Sequence, residues 1–412
     1  MWYYSVAKIY VKNASSMKEK IKLSVKDYMP ELINIRRHIH QHPELSFAEH
    51  QTMVYISEQL DAAGIEHLSG VANTGVVGVL GDGAGKCIGL RADIDALPMY
   101  EKTDAAYASV NEGVMHACGH DVHTTCLLGA LKTLKQFEDE LPGRVKFVFQ
   151  PAEEKLPGGA RDIIAAGVMT DTPAIDIMLG LHVHPPLEVG TLGFKSGMFM
   201  ASADELTITF RGKGGHAAVP IEFVDPIVAA STFITQVQQI VSRRADPSIP
   251  TVISFGHIET KGGSFNIIPE EVVIKGTLRT MDETWRATAL ELITETASHL
   301  AAAGGCSAET NIIHGYPYLL NDPNITPIAK AVCQDLFGAD QVVDLPFRMS
   351  AEDFARYAQI VPSVFYRIGV ANQKRGITAP VHSPYFDVDE DAIFYGASSM
   401  AYLAHELMSV DS

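Results

Sequence analysis

The sequence predicts an α/β fold in which a mostly parallel mixed sheet flanked by helices carries an inserted ferredoxin-like α+β domain. Three observations predict it. From about residue 28 to 192, helical and strand-like segments alternate, as a parallel sheet with covering helices requires. Between about 194 and 314 the rhythm becomes β-α-β-β-α-β, the ferredoxin-like order. From 315 the first rhythm resumes, so the main domain is discontinuous, with 1–193 and 315–412 on either side of the insert 194–314.

In chain order, 47–63 reads as a helix closed by Gly64, and the glycine-bounded apolar runs 75–80 and 87–93 read as strands. Segment 120–140 carries helical spacing at Leu127, Leu128, Leu131 and Leu134. A strand over 145–149 stops at Gln150-Pro151, and a run over 175–184 is expected to stop at Pro185-Pro186. Chemistry at the carboxyl ends of such strands is the usual arrangement in open α/β sheets. Inside the insert, strands are expected over 205–211, 251–258, 271–280 and 307–314, with helices over 226–243 and 283–303. Helices over 325–337, 351–359 and 391–408 and strands over 341–344 and 363–368 complete the chain.

Composition excludes several classes. With 412 residues, 47% hydrophobic and 20% charged, the chain buries a sizeable core and is neither disordered nor a disulfide-stapled miniature. Asp plus Glu number 49 against 32 Lys plus Arg, a net charge of −17 that repels a nucleic-acid backbone. Five cysteines, an odd and small number, suit a reducing compartment, and a cytoplasmic location is expected. The opening segment, 1–12, is mildly apolar, but Lys8 and Lys12 interrupt it and no basic segment precedes it, unlike an export signal. No run reaches the roughly 18 apolar residues of a membrane span, so no membrane association is expected. Residues 1 to about 25 are expected to be an extension, or the product of a start upstream of Met17.

Histidine is concentrated: eight of the 16 fall in His38/His40/His42, His116/His120/His123 and His182/His184. The run His116-Ala117-Cys118-Gly119-His120-Asp121-Val122-His123 packs a thiol and three imidazoles around a glycine that permits a sharp turn, the ingredients of a metal site. No cysteine lies three residues from Cys118, which argues against a dithiol redox pair. Glu153-Glu154 follows a strand and a proline. Amide hydrolysis by a metal-activated water needs two carboxylates of different duty, one holding the cation and one moving the proton, and adjacent glutamates in an irregular turn can divide those duties. His182 and His184 share a strand face, so spacing alone leaves open which one ligates, and His382 sits in a loop before the final helix. In the insert, the glycine-rich turn 211–220 carries His216 and matches no phosphate-binding fingerprint, while Asn266 and Arg279 offer donors for a carbonyl or carboxylate oxygen.

Taken in order, segments 116–123, 151–154, 181–185, 212–220, 266–269 and 276–279 resemble the M20 metallopeptidase family, with its amidohydrolase branch (N-acyl-amino-acid, hippurate and auxin-conjugate hydrolases) nearest. Segments 37–46, 91–98 and 350–354 extend the resemblance to essentially 28–405. It implies Cys118, His120, Glu154, His182 and His382 as ligands of two divalent metals, with Glu153 as general base and then acid. It further implies His216 as oxyanion donor, reaching from the insert as a lid and often from a neighbouring subunit, with Asn266 and Arg279 near the substrate carboxylate. Many family members place a ligand histidine two before an aspartate, whereas this chain has Arg91 before Asp93, which leaves Asp93 supporting the ligands from behind. Thiolate, imidazole and carboxylate together suit zinc or manganese and tolerate cobalt or nickel. The expected substrate is an N-acyl amino acid or a small acylated peptide, and the expected assembly a homodimer or higher homo-oligomer. A metallo-dipeptidase or carboxypeptidase on the same scaffold is the first alternative. A non-catalytic metal-binding protein is the second, and it would need neither Glu153 nor His216.

Overall fold

The computed structural model describes residues 16–410, arranged in two compact units. The first comprises the described residues to Gly197 together with Leu320–Pro346 and those from Arg356 onward, and the second comprises Met198–Leu319 and Phe347–Ala355. The mildly apolar run over 1–12 lies wholly outside the described residues, as does the reading of 1–15 as an extension. From Met17, however, the chain belongs to the fold: helix α1 (Met17–Gln41) buries Ile21 and Val25 completely. The expected extension therefore does not reach residue 25.

The first unit holds an eight-stranded sheet of β1 (Leu68–Val71), β2 (Gly75–Leu80), β3 (Cys87–Asp93), β4 (Arg144–Gln150), β5 (Ile177–Glu188), β6 (Leu192–Phe194), β7 (Val342–Asp344) and β8 (Ser363–Ala371). The spatial order is β1-β2-β4-β3-β5-β8-β6-β7. Its centre, β4-β3-β5-β8, is parallel, and the antiparallel pairs lie toward the margins. Burial explains the strand sequences: β3 and β8 are buried throughout, as strands covered on both faces must be, and are mostly apolar, interrupted by Arg91 and Asp93 in β3 and by Ser363 and Arg367 in β8. The remaining helices of this unit are α2 (His50–Ala62), α3 (His120–Lys135), α4 (Gly159–Ala165), α5 (Ile325–Phe337) and α6 (Ala392–Leu407). Residues 120–134 of α3 are all buried, and α3 packs with α1 and α6 into one apolar core that includes Leu32, Leu128, Leu131 and Leu403.

In the second unit, strands Asp204–Arg211, Thr251–Lys261, Glu271–Thr280 and Ser307–His314 form an antiparallel sheet. Numbered by chain position they lie in the order 2-3-1-4, the ferredoxin-like arrangement. Helices Pro226–Gln236 and Glu283–Ala303 cover it through Phe233, Ala289, Ile293 and Ala297. Asp225 caps the first through the Ile227 and Val228 amides, and Asp282 caps the second through Trp285. Asp204 and Arg286 form a buried two-pronged ion pair, with both contacts 2.7 Å.

Several expected boundaries move for local reasons. Helix α2 starts at His50 rather than 47, because Phe47 takes a φ of 67° that no right-handed helix accommodates. Strand β5 does not stop at Pro185-Pro186 but continues to Glu188: the β8 partner shifts register between Gly369 and Ala371, so the prolines sit where no ladder N–H is required. The helix expected over 226–243 ends at Gln236 and gives way to a π turn at Ile240–Arg244. Thr232 and Thr235 hydroxyls bond back to the carbonyls of Val228 and Ser231 near that end. Only Ala355–Ala358 of the expected 351–359 helix forms, because the Glu352 carboxylate accepts the Phe354 amide at 3.1 Å in a local turn.

Candidate metal centre

Parallel register sets the site. Asp93 lies opposite Gln150 and Arg91 opposite Gly180, so Asp93, the turn after Gln150 and His182 reach the same level at the carboxyl ends of β3, β4 and β5. Gly119 precedes α3 with φ 85°, and a Cβ there would meet Val183 Cγ2 at 2.5 Å, so the tight Cys118-Gly119-His120 turn requires glycine. His382 also holds a positive φ, 61°, and its amide donates to the Ala117 carbonyl at 2.8 Å, which ties the last loop to the residue before Cys118.

Five overlapping groups of possible ligand atoms result, each with its atoms within 4.8 Å of one another: Cys118/His120/His182, Cys118/Glu154/His382, His120/Glu153/Glu154, Asp93/His120/His123 and Glu153/Glu352/Asp353. The first three together contain the five sequence-expected ligands and Glu153. Ring-nitrogen bonding assigns the lone pairs. His120 Nδ1 donates to the Asp95 carbonyl at 2.8 Å and lies 3.1 Å from Asp95 Oδ1, while its Nε2 is buried without a hydrogen-bond partner. His182 Nδ1 donates to the Val183 carbonyl at 2.7 Å, leaving Nε2 at 3.3 Å from Cys118 Sγ. Nε2 is thus the atom available to a cation in both rings. His123 differs: its Nδ1 donates to Asp93 Oδ1 at 2.6 Å and its Nε2 accepts the Val183 amide at 2.9 Å, so neither nitrogen remains to bind a cation. His116 is fully buried with no hydrogen bond at either ring nitrogen, burial pushes its pKa down to about 3, and it belongs to none of the groups. Nor does His184.

The electrostatics favour cations. Burial works against a charged His120, yet Asp93, Asp95 and Glu154 push its pKa up to about 10. Burial, then Glu154, Glu153 and Asp93, drive the Cys118 thiol well above its ordinary value. Glu154, whose Oε1 lies 3.2 Å from His382 Nε2, raises that imidazole. Negative charge here exceeds positive charge, and protons sit where a dication would relieve the repulsion. A divalent metal fits the donor set, since it would take the unpaired His120 nitrogen and convert Cys118 to a thiolate.

Asp93 lies among the candidate ligands without joining the groups that hold Cys118 or Glu154. Its Oδ1 holds His123, and Arg91 Nη1 donates to its Oδ2 at 2.6 Å. Burial would raise its pKa, but Arg91, His120 and His123 keep the carboxyl well below the usual range. Sequence reasoning gave no role to Asp95, which is fully buried and does more: besides His120, its Oδ2 accepts the Glu154 amide at 3.0 Å and the Ser46 hydroxyl at 2.6 Å. One carboxylate thereby braces two ligand-bearing segments. The only available signal was its position two residues beyond Asp93. Behind α3, Asp121 Oδ2 accepts Arg36 Nε at 2.8 Å and pairs with His40 Nδ1 at 2.9 Å, which gives His40 a structural task.

His216, Asn266 and Arg279 belong to the second unit. His216 pairs with Ile267, and the next amide, Ala217, donates to the Asn266 carbonyl at 3.1 Å, which brings His216 and Asn266 together. The Ala218 amide donates to His216 Nδ1 at 3.1 Å, so the neutral ring carries its proton on Nε2. Arg279 is partly buried and donates to Thr277 Oγ1 and to the Leu278 carbonyl.

The chain is similar over residues 89–406 to the family described as peptidase family M20/M25/M40. Among characterised relatives it is 40% identical to IAA-amino acid hydrolase ILR1-like 4 of Arabidopsis thaliana, over 92% of this chain and 86% of that protein. It is 40% identical to the N-acetyl-L-cysteine deacetylase of Bacillus subtilis, over 88% and 85%. Thermostable carboxypeptidase 2 of Saccharolobus solfataricus is 38% identical over 95% and 98%. The crystal structure of Bacillus subtilis YXEP protein, described as a dinuclear metal binding peptidase from the M20 family, superposes with a TM-score of 0.80 at 35% identity, covering 93% of this chain and 99% of that one. Sequence and fold place this chain in peptidase family M20/M25/M40, as an amide hydrolase of that family.

Proposed function

We propose that the protein hydrolyses the amide bond of N-acyl amino acids or related small acylated peptides, with Cys118, His120, Glu154, His182 and His382 holding two divalent metals, zinc or manganese. The observation that carries this reading is the adjacency of two glutamates with different surroundings. Glu154 lies 3.2 Å from His382 and 3.9 Å from His120, among the ligands, while its neighbour Glu153 is grouped with His120 and Glu154 but not with Cys118, His182 or His382. Bound metal supplies acidification of a water and polarisation of the substrate carbonyl. Glu153 takes the proton from the attacking water and returns it to the departing nitrogen. His216, protonated on Nε2, has the donor that a developing oxyanion needs, and Asn266 and Arg279 bind the substrate carboxylate. The second unit acts as a lid and mediates a homodimer. Five free thiols suit a reducing, cytoplasmic setting.

The named substrates of two relatives, an IAA-amino acid and N-acetyl-L-cysteine, support the N-acyl class. The carboxypeptidase relative keeps cleavage of unblocked peptides as the second reading. Amine release from N-acetyl, N-benzoyl and longer N-acyl amino acids, measured beside free dipeptides with zinc- or manganese-loaded protein, separates the two. Chelator-sensitive release from the blocked compounds supports the proposal, and cleavage confined to free dipeptides transfers the chain to the peptidase class.

A further inference from the structure

Glu49 is completely buried and stands at the N-cap position of α2, yet its side chain makes no capping bond to that helix. Its Oε1 accepts the Ala152 amide at 2.8 Å and the Phe47 amide at 3.0 Å, and its Oε2 accepts the Thr74 hydroxyl at 2.6 Å. Both amide donors belong to residues in the left-handed region, Ala152 at φ 54° and Phe47 at φ 67°. An L-residue holds that conformation only where its surroundings impose it. Ala152 is also fully buried and immediately precedes Glu153. On the other side of Glu153, the Glu154 amide is held by Asp95 at 3.0 Å. Two buried carboxylates, from separate segments, thus catch the N–H groups flanking Glu153, and the Ala152 carbonyl accepts Gly159 N–H at 3.0 Å. Asp95 also serves His120, whereas the hydrogen bonds of Glu49 go to Ala152, Phe47 and Thr74 and to no candidate ligand.

We propose that Glu49 is a positioning residue for Glu153: by holding Ala152 in its left-handed conformation, it sets the direction in which the chain presents the Glu153 carboxylate. This rests on Glu153 acting as the proton carrier, as proposed above. Without the acceptor, Ala152 relaxes toward an ordinary φ and the Glu153 carboxylate is re-aimed, while the ligands at 118, 120, 182 and 382 stay in place.

The test uses metal-loaded full-length protein and an N-acyl amino acid that the wild type cleaves. Glu49→Ala is expected to lose about 10² in kcat, the cost of roughly 1 Å of misplacement, with KM within about twofold. Metal content should be unchanged and hydrogen exchange at the Ala152 amide faster. Glu49→Gln keeps the accepting oxygen and should stay within about threefold of wild-type kcat. Adding Ala152→Gly to Glu49→Ala should restore about tenfold, because glycine takes a positive φ without a clamp. Should Glu49→Ala not fold, Glu49→Met fills the volume without an acceptor and replaces it. Unchanged kcat, unchanged exchange at Ala152, absence of rescue by Ala152→Gly, or loss of metal with the activity would each overturn the proposal. If Glu153→Ala keeps full kcat, the proton-carrier role of Glu153 fails instead, and accelerated exchange in Glu49→Ala still supports the hold of Glu49 on the turn.

Discussion

Asp95→Ala should weaken metal binding without touching a ligand. The carboxylate is fully buried and holds His120 Nδ1 at 3.1 Å, the Glu154 amide at 3.0 Å and Ser46 Oγ at 2.6 Å. Its removal frees one imidazole and one glutamate segment at once. The Asp95 carbonyl, 2.8 Å from His120 Nδ1, survives the substitution, so the His120 tautomer persists and the loss comes from poorer orientation. Removing a partner that orients metal ligands typically costs 10- to 100-fold in affinity, which is about 1.4 to 2.8 kcal/mol. With two ligand segments released, the upper half of that range is expected. A further ~1–3 kcal/mol of folding stability should go with the unsatisfied Glu154 amide and Ser46 hydroxyl. Asp95→Asn, which keeps one accepting oxygen, should fall between. Competition titration of metal-free protein against a chelator of known affinity, paired with urea unfolding, measures both quantities. Wild-type metal affinity in Asp95→Ala would refute the bracing role.

Three other outcomes follow from the geometry. Metal binding near pH 7 should release about two protons, because His120, pushed up to about 10, and Cys118, raised well above its ordinary value, both carry protons that ligation displaces; an indicator dye in weak buffer reads this. Gly119→Ala should cost about 1–2 kcal/mol for the left-handed backbone and about 1–3 more for the 2.5 Å approach to Val183, seen as a lower unfolding midpoint with weakened metal binding. Asp121→Asn should destabilise by about 3 kcal/mol at pH 7, the low end for breaking a buried pair, since Arg36 keeps Glu390 at 3.4 Å. Burial raises the Asp121 pKa, but Arg36 and His40 outweigh it and hold the carboxyl far below its unfolded value of about 3.9, so its stabilisation is present above that value and lost as pH falls through the folded one. Urea unfolding should therefore show the gap between wild type and variant constant above about pH 5 and narrowing toward pH 3.

What the sequence made legible was whatever depends on local pattern. Burial on both faces writes β3 and β8 as mostly apolar runs, and the predicted limits of Glu283–Ala303, Ser307–His314 and Ile325–Phe337 coincide with the observed ones. The candidate donor types were legible because a thiol, imidazoles and paired carboxylates rarely crowd at strand ends without a cation to hold. Hydrogen bonds across the chain were not. The tautomers of His120, His182 and His216, the exhaustion of His123 by Asp93 and Val183, and the hold of Glu49 on Ala152 depend on partners remote in sequence or on a backbone turn, which spacing cannot encode. Prolines 185 and 186 misled for the same reason, since a shift in the partner strand removed the hydrogen bonds they would have broken.

The division of labour between the adjacent glutamates is the centre of the account, and a single variant tests it most directly. Metal content and kcat of Glu153→Ala, measured on the same purified sample with the best N-acyl substrate, should show wild-type metal occupancy and a kcat lowered by about 10² to 10⁴, the worth of a general base. Full activity, or a loss of metal equal to that of Glu154→Ala, would contradict it.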